Sequence, residues 1–249
     1  MNMRFNVSLG AWRGLRVKTA LAEARCSSEP WLGALSVEHV QICPQNPGNL
    51  TPKDADELIS DNPDVKFRLH ANVHVEDWTV DADASTYDRY PDYFDRLVEV
   101  SEAFRSPAYT WHAGHRKNAS LEAIFKNTRQ LEDRMGIPVG IEGMYPSRAD
   151  YLISTWDEYE ALFRSGVNYA IDLSHINILA HKTGERKDHL LVKLLSSDRC
   201  IEIHLSGNTG DADTHGQLAS QPWWWETLSC ANPQATLFTE GGQTRPVFF

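Results

Sequence analysis

Short apolar segments rich in β-branched residues recur along the chain and alternate with longer segments in which apolar residues repeat every three or four positions. The short segments have the length and composition of buried strands, and the longer ones have the period of amphipathic helices. The helix candidates are LRVKTALAEA, DADELI, YFDRLVEVSEAF, LEAIFKNTRQLEDRM, DEYEALFRS, HLLVKLLS and WWWETLS. The eight strand candidates are FNVSL, VEHVQIC, VKFRLH, AYTWH, PVGIE, VNYAID, CIEIHL and ATLFTE.

This alternation predicts an α/β protein, and eight strand–helix units in 249 residues match the size of a (β/α)8 TIM barrel. The competing architecture is a doubly wound open sheet, which usually carries a glycine-rich phosphate loop after its first strand. SLGAWRG, at the end of the first strand candidate, matches GxGxxG poorly. We therefore predict a single TIM-barrel domain over residues 1–249, with a last helix that is short or missing because few residues follow the eighth strand.

Six consecutive strand candidates end in a residue that can bind a metal ion. The carboxyl ends of barrel strands converge on one mouth, so we expect these side chains to meet there. The following loops contribute three more candidates, one from DLSH and two from DTH. The nine predicted metal-site residues are His70, His112, Glu142, Asp172, His175, His204, Asp213, His215 and Glu240.

Each of these residues also has an ordinary structural explanation. A single histidine at a strand end is more often a hydrogen-bonded structural residue, and a carboxylate there can cap the next helix or pair with an arginine. Six such roles would have to coincide at one register, and unpaired carboxylates this close together repel. The complete set therefore favours a metal site. Mixed imidazole and carboxylate donors suit iron, manganese or zinc, and nine donors suggest two or three ions.

Composition and charge limit the kinds of molecule that the protein is expected to bind. The net charge of −10 argues against a broad electrostatic hold on nucleic acid. No segment resembles a signal peptide or approaches the ~20 apolar residues of a membrane span, so we expect a cytoplasmic protein with no membrane contact. The cysteines lack the CxxC spacing of zinc knuckles, and they fall at Cys26, Cys43, Cys200 and Cys230. The expected substrate is a peptide or small molecule, and delivery by a partner protein stays open.

These residues carry a family resemblance. The chain resembles the xylose-isomerase-like TIM-barrel superfamily, and within it endonuclease IV, the trizinc enzyme that cuts DNA at abasic sites. The similar motifs are VQICPQNPGN after the second strand, HAGH after the fourth, DLSH after the sixth and DTH in the seventh loop. This resemblance implies the same nine residues as metal ligands.

A second branch is similar as well, namely the multinuclear non-haem iron-dependent oxidative enzymes of the methanobactin-maturation type, which modify ribosomally made peptides, typically at cysteine. IHLSG followed by DTHG and QPWWWETL resembles that family. IEGMYP, DEYEALF and YAIDLSHINILAH are similar to its fifth and sixth units. This resemblance implies iron as the cofactor, two or three ions, with zinc or manganese as alternatives.

Three functions follow as hypotheses: O2-dependent oxidation at non-haem iron, metal-assisted hydrolysis of a phosphodiester, and isomerisation or epimerisation of a sugar. We favour the first. The predicted catalytic residues are Asp172, His204 and Glu240. The predicted substrate contacts are Asn72 and Asn208, which lie just beyond strand candidates.

Overall fold

The computed structural model describes residues 3–243. Eight strands, all paired in parallel, form a closed barrel, in which the first strand pairs with both the second and the eighth. The (β/α)8 barrel predicted from the sequence is confirmed. The strands are β1 Phe5–Ser8, β2 Ser36–Ile42, β3 Lys66–His70, β4 Tyr109–His112, β5 Val139–Glu142, β6 Asn168–Asp172, β7 Cys200–Leu205 and β8 Thr236–Thr239.

Helices connect consecutive strands around the outside of the barrel. They are α1 Val17–Ala24, α2 Pro52–Asp61, α3 Pro91–Ala103, α4 Leu121–Met135, α5 Trp156–Ser165, α6 Leu173–Thr183 and α7 Asp188–Ser196. Short 3-10 helices cover Leu9–Trp12, Ala84–Arg89 and Trp225–Cys230. A small antiparallel ribbon joins Ser28–Glu29 to Gly33–Ala34.

The connection between β6 and β7 differs from the sequence expectation. One helix was predicted there, but two are present, because DLSHINILAH continues as α6 immediately after the strand. The helix predicted in WWWETLS is instead the 3-10 segment Trp225–Cys230. The prediction of a short or missing last helix concerns residues 244–249, which lie outside the described residues.

Alternation along each strand separates two environments. On β4, Tyr109 and Trp111 are fully buried and point toward the helices, where the Trp111 and Phe94 rings meet edge to face with centroids 5.6 Å apart. Thr110 and His112 point into the barrel, as the period of two requires. The apolar core therefore lies between strands and helices, and polar side chains occupy the barrel interior. None of the described helices is both long and apolar enough to cross a membrane.

Candidate metal centre

Glu142, the last residue of β5, lies at the centre of the predicted site and is 2% exposed. Its Oε2 atom is 3.2 Å from His70 Nε2 on β3 and 3.8 Å from His112 Nε2 on β4. The same oxygen is 3.5 Å from His204 Nδ1 on β7. Three imidazoles from three strands thus converge on one buried carboxylate oxygen, as the parallel register predicts.

The strand-end donors fall into three overlapping groups, and in each group the ligand atoms lie within 4.8 Å of one another. Such spacing suits simultaneous binding of one metal ion by each group. Two residues are shared, since His70 and Glu142 each belong to two groups. The groups are His70 with His112 and Glu142, His70 with His204 and Glu240, and Glu142 with Asp172 and His175.

Asp172 has two roles because β6 runs directly into α6. Its Oδ1 atom accepts hydrogen bonds from the backbone N–H groups of Ser174 (2.6 Å) and His175 (3.3 Å), so the carboxylate caps the helix. Its other oxygen, Oδ2, lies 3.4 Å from His175 Nε2. Helix capping and donor position are therefore served by different oxygens of one side chain.

The loop after β7 brings both Asp213 and His215 to the mouth of the barrel. Asp213 Oδ2 lies 3.4 Å from His175 Nε2 and 3.0 Å from His215 Nε2, while His215 Nδ1 lies 3.5 Å from Glu240 Oε2. Gly207 and Gly216 close the base of this loop through paired backbone hydrogen bonds of 2.6 and 2.8 Å. A Cβ atom on Gly216 would lie 2.9 Å from the Gly207 carbonyl oxygen, so this approach requires glycine.

Hydrogen bonds on the far side of two imidazoles turn their Nε2 atoms into the site. His175 Nδ1 donates to the Gly143 carbonyl at 2.8 Å. His70 Nδ1 lies 2.9 Å from Thr110 Oγ1, whose hydroxyl donates onward to Glu202. This arrangement is typical of metal-binding histidines, in which one nitrogen donates to the protein and leaves the other as the ligand.

Three buried atoms of the site have no hydrogen-bond partner within residues 3–243: Glu142 Oε2, Asp172 Oδ2 and His204 Nδ1. When His70 donates through Nδ1, its Nε2 lone pair faces Glu142 Oε2. Two hydrogen-bond acceptors then lie opposite each other with no donor between them. Buried acceptors are costly unless a donor or cation meets them. The donor set therefore fits metal ions, which satisfy imidazole and carboxylate lone pairs together.

Protonation equilibria in the metal-free protein lead to the same conclusion. Burial opposes the charged imidazole, but the neighbouring carboxylates outweigh it and raise the pKa of His204 and His175 well above the ordinary value. Asp213 raises the pKa of His215 to about 9, whereas burial lowers that of His112 to about 4. Burial also raises the pKa of Glu240. Protons thus balance the converging carboxylates, and metal ions would displace those protons on binding.

A second polar layer lies beneath the donors, and sequence reasoning missed it. Glu202 is fully buried in the barrel and forms an ion pair with Arg68, with Nη1 to Oε1 at 2.8 Å. Burial alone would raise the pKa of Glu202, but the hydrogen bond with His204 and the charge of Arg68 lower it to about 2. The available signal was the period of two, because Glu202, Arg68 and Thr110 each precede a predicted donor by two residues.

The mouth above the donors opens into a central cavity of about 540 Å³. Arg13 is the sole lysine or arginine among its lining residues, counted over the described part of the chain. Tyr145 also lines it, and its ring lies 4.7 Å from the His175 ring, centroid to centroid. Burial raises the pKa of Tyr145 to about 12, so its phenol keeps its proton at neutral pH. Sequence reasoning identified neither residue.

The two predicted substrate contacts are not brought to this cavity. Asn72 has a φ of 62°, and its amide donates to Asp81 Oδ1 at 2.9 Å. Asn208 Nδ2 donates to the Ser174 carbonyl at 3.0 Å, which holds the loop after β7 against α6. Asn208 instead lines a separate cavity of about 330 Å³ beside Trp223.

No protein-family model and no curated protein matches the chain. Solved structures do match its fold. A D-tagatose 3-epimerase-like protein superposes with a TM-score of 0.67 at 15% identity, over 98% of this chain and 92% of that chain. An AP endonuclease of family 2 from Brucella melitensis superposes with a TM-score of 0.64 at 15% identity, over 96% and 93% of the two chains.

A fusion protein of a xylose isomerase-like TIM barrel with 4-hydroxyphenylpyruvate dioxygenase matches with a TM-score of 0.64 at 10% identity. The match covers 99% of this chain and 40% of that longer one. At such identities the likeness establishes the fold alone. The expected similarity to xylose isomerase-like TIM barrels is confirmed at that level.

Proposed function

We propose that this protein is a metalloenzyme whose barrel mouth holds two or three iron ions and which oxidises a peptide or small molecule with O2. One observation carries the proposal: seven strand-end or helix-start donors form three overlapping groups, and buried acceptor atoms in these groups lack partners among residues 3–243. Bound ferrous iron would supply the redox chemistry of an O2-dependent oxidation. Zinc and manganese are the alternative metals for the same donors.

The donor groups assign residues to ions. Each group offers three donors, and the sharing of His70 and Glu142 suits neighbouring ions held by common ligands. Asp213 and His215 approach from the loop and would complete the coordination beside His175 and Glu240. The folds that resemble this one include proteins named as an epimerase-like protein and an endonuclease, which supports an enzyme over a passive metal-binding protein.

The cavity favours a small molecule or peptide over nucleic acid. DNA-binding sites need clustered Lys and Arg to neutralise phosphates. Within residues 3–243, Arg13 is the one basic side chain of this kind that lines the cavity. The chain also carries a net charge of −10. We assign Arg13 to an anionic group of the substrate.

The side chains around the cavity divide the remaining tasks. The phenol of Tyr145 would donate a hydrogen bond to the substrate. Glu240 is 9% exposed, and burial raises its pKa, so its carboxyl group can hold or release a proton beside the reacting atoms. Asp172 and His204, the other predicted catalytic residues, would act through the ions that they bind.

The experiment is a paired loading of anaerobically purified protein with Fe(II) or Zn(II). The iron form should consume O2 faster with its substrate, and cysteine-containing peptides encoded by neighbouring reading frames should change mass only with iron and air. The zinc form should remain silent in both assays. Efficient zinc-dependent cleavage of abasic-site duplex DNA, abolished by Glu240→Gln, would overturn the oxidative assignment.

A second candidate, epimerisation or isomerisation of a sugar, is favoured by one geometric feature. Glu142 Oε2 and Glu240 Oε1 lie 3.5 and 3.7 Å from the same atom, His204 Nδ1, so two carboxylates flank one position. Such a pair can remove a proton on one face of a substrate and return one on the other. Manganese-dependent incorporation of solvent deuterium into a ketose, without O2, would establish this function instead.

A further inference from the structure

Glu202 sits one layer below the proposed metal centre, and its carboxylate is the acceptor for several interior donors. Its side chain is inaccessible to solvent. Gln41 Nε2 and Thr110 Oγ1 donate to Oε2 at 3.0 and 2.9 Å, and Arg68 Nη1 donates to Oε1 at 2.8 Å. Each of these donors comes from a different strand, so the carboxylate has a fixed position in the barrel.

The contact with His204 determines which imidazole nitrogen faces the proposed metal site. His204 Nε2 lies 3.1 Å from Glu202 Oε2, and an ionised carboxylate can only accept, so Nε2 carries a proton. The amide nitrogen of Gln41, 3.2 Å from the same Nε2, is a competing neighbour that would favour the opposite tautomer. A charged acceptor forms the stronger hydrogen bond. Nδ1 is therefore the nitrogen left for a metal ion, and it points between Glu142 and Glu240.

A second histidine is controlled through one intermediate hydroxyl. Thr110 Oγ1 donates its proton to Glu202, so it must accept from His70 Nδ1, 2.9 Å away. His70 Nδ1 is therefore protonated, and Nε2 is the free nitrogen, 3.2 Å from Glu142 Oε2. The carboxylate thus turns opposite ring nitrogens of two histidines toward the mouth, Nδ1 of His204 and Nε2 of His70.

We infer that Glu202 is a positioning residue that fixes the tautomers of His204 and His70 so that both present a lone pair to the metal ions. The inference rests on the proposed function, because it needs metal ions at the mouth. His204 and His70 together account for two of the three donor groups. Arg68 keeps the carboxylate ionised and held in place, with its other nitrogen Nη2 donating to Thr236 Oγ1 at 2.7 Å.

The test compares Co(II) binding by the wild-type chain and by Glu202→Gln. The substitution preserves size but replaces the charged acceptor with an amide, so we expect a loss of about 10- to 100-fold in Co(II) affinity, the usual effect of removing such a partner. The visible Co(II) absorption should also change. Glu202→Asp keeps a carboxylate and should bind more tightly than Glu202→Gln, which separates charge from shape.

Two matched variants separate the direct contact of Glu202 with His204 from its indirect contact with His70. Thr110→Val removes the hydroxyl between His70 and Glu202, so it should change the ring-nitrogen NMR shifts of His70 in the zinc-loaded protein but not those of His204. Thr236→Val makes the same change at a threonine whose hydroxyl accepts a hydrogen bond from Arg68, and it should leave both histidines as in the wild type. If Glu202→Gln unfolds because Arg68 is left without its partner, Arg68→Met/Glu202→Gln removes both charges and should show the same metal loss.

The outcomes are distinct. A folded Glu202→Gln that binds Co(II) within twofold of the wild type, with an unchanged spectrum, overturns the inference and leaves the proposed function standing. A wild-type chain that binds no Co(II), zinc or iron overturns both. Weakened Co(II) binding in Glu202→Gln, partly restored in Glu202→Asp, supports the inference that Glu202 fixes the two histidine tautomers.

Discussion

Two layers of polar residues lie inside the same barrel, and they differ in whether their buried polar atoms have hydrogen-bond partners. In the lower layer, Arg68 and Glu202 form a buried ion pair whose remaining donors and acceptors meet other side chains. In the upper layer, Glu142 Oε2, Asp172 Oδ2 and His204 Nδ1 are buried without a partner in the described part of the chain. The two layers are separated by one step of the strand alternation.

This difference shows that polarity inside the barrel is not in itself a sign of a functional site. Both layers are buried, and both carry charges. The lower layer is complete within the protein, which is the usual condition for buried polar groups. The upper layer leaves buried acceptors without a donor from the described residues, so added protons or metal ions must balance them.

The largest expected effect tests whether the lower layer is structurally complete. Arg68→Met leaves the buried Glu202 charge without its partner, and we expect a loss of about 3–5 kcal/mol in the free energy of unfolding, or roughly 10 °C in Tm. The control is Arg25→Met, which breaks an ion pair with Asp64 whose side chains are 36% and 61% exposed and should cost less than ~1 kcal/mol. Equal losses in urea unfolding would contradict the comparison.

The next effect concerns the upper layer. Verified removal of metal should lower stability by about 3 kcal/mol relative to protein at a metal concentration 100 times its Kd, or about 5–10 °C in Tm. Glu142→Gln, which alters two of the three donor groups, should respond less to the same chelation. An unchanged Tm after complete metal loss in the wild type would show that the upper layer does not depend on cations.

A smaller effect is expected at His39, which lies against Arg68 with its Nδ1 3.4 Å from Arg68 Nε. Burial and the positive charge of Arg68 lower the pKa of His39 to about 4. The unfolded chain, with a histidine pKa of about 6.5, binds this proton first, so stability should be lost as pH falls from 6.5 to 4. Partial exposure limits the loss to about 1–2 kcal/mol.

His39→Gln should remove this part of the pH dependence, measured by urea unfolding of the metal-free protein at pH 4, 5, 6 and 7. His189→Gln, at an exposed position of α7, is the control and should leave the curve as it is. Identical curves for the two variants would mean that His39 contributes nothing to acid sensitivity.

The smallest effect is expected for His215→Ala. The substitution removes the ion pair with Asp213, but the side chain of His215 is 43% exposed and lies on a loop, so the free energy of unfolding of the metal-free protein should fall by no more than about 1 kcal/mol. Metal content should fall by no more than one ion. Loss of every ion, measured by elemental analysis, would mean that the loop and strand donors form one inseparable site.

Sequence reasoning succeeded where the geometry of parallel strands leaves little freedom. His70, His112 and Glu142 each end a strand, and His204 is the next-to-last residue of its strand. Adjacent parallel strands bring their carboxyl ends to one mouth whatever the intervening helices do. It missed Glu202, because attention to strand ends ignored the inward position two residues earlier. It missed α6, because DLSHINILAH was examined for metal ligands and its helical pattern was not considered.

Loop residues were less predictable. Asn208 and Asp213 lie in the same loop, yet Asp213 reaches the mouth, whereas Asn208 bonds to Ser174 and lines another cavity. The closure between Gly207 and Gly216 decides this division, and it depends on a backbone approach that no residue spacing reveals.

The sequence by itself determined the barrel and the side chains that meet at its mouth, because the period of two and the parallel register follow from local patterns repeated eight times. The tertiary structure alone decided which nitrogen of His204 faces the mouth, and which side chains of the seventh loop turn inward. Those outcomes depend on contacts between residues far apart in the chain, such as Arg68 with Glu202, whose 2.8 Å ion pair spans 134 positions. Hydrogen bonds of that kind have no signature in local sequence, since either partner alone looks like an ordinary charged residue of a strand.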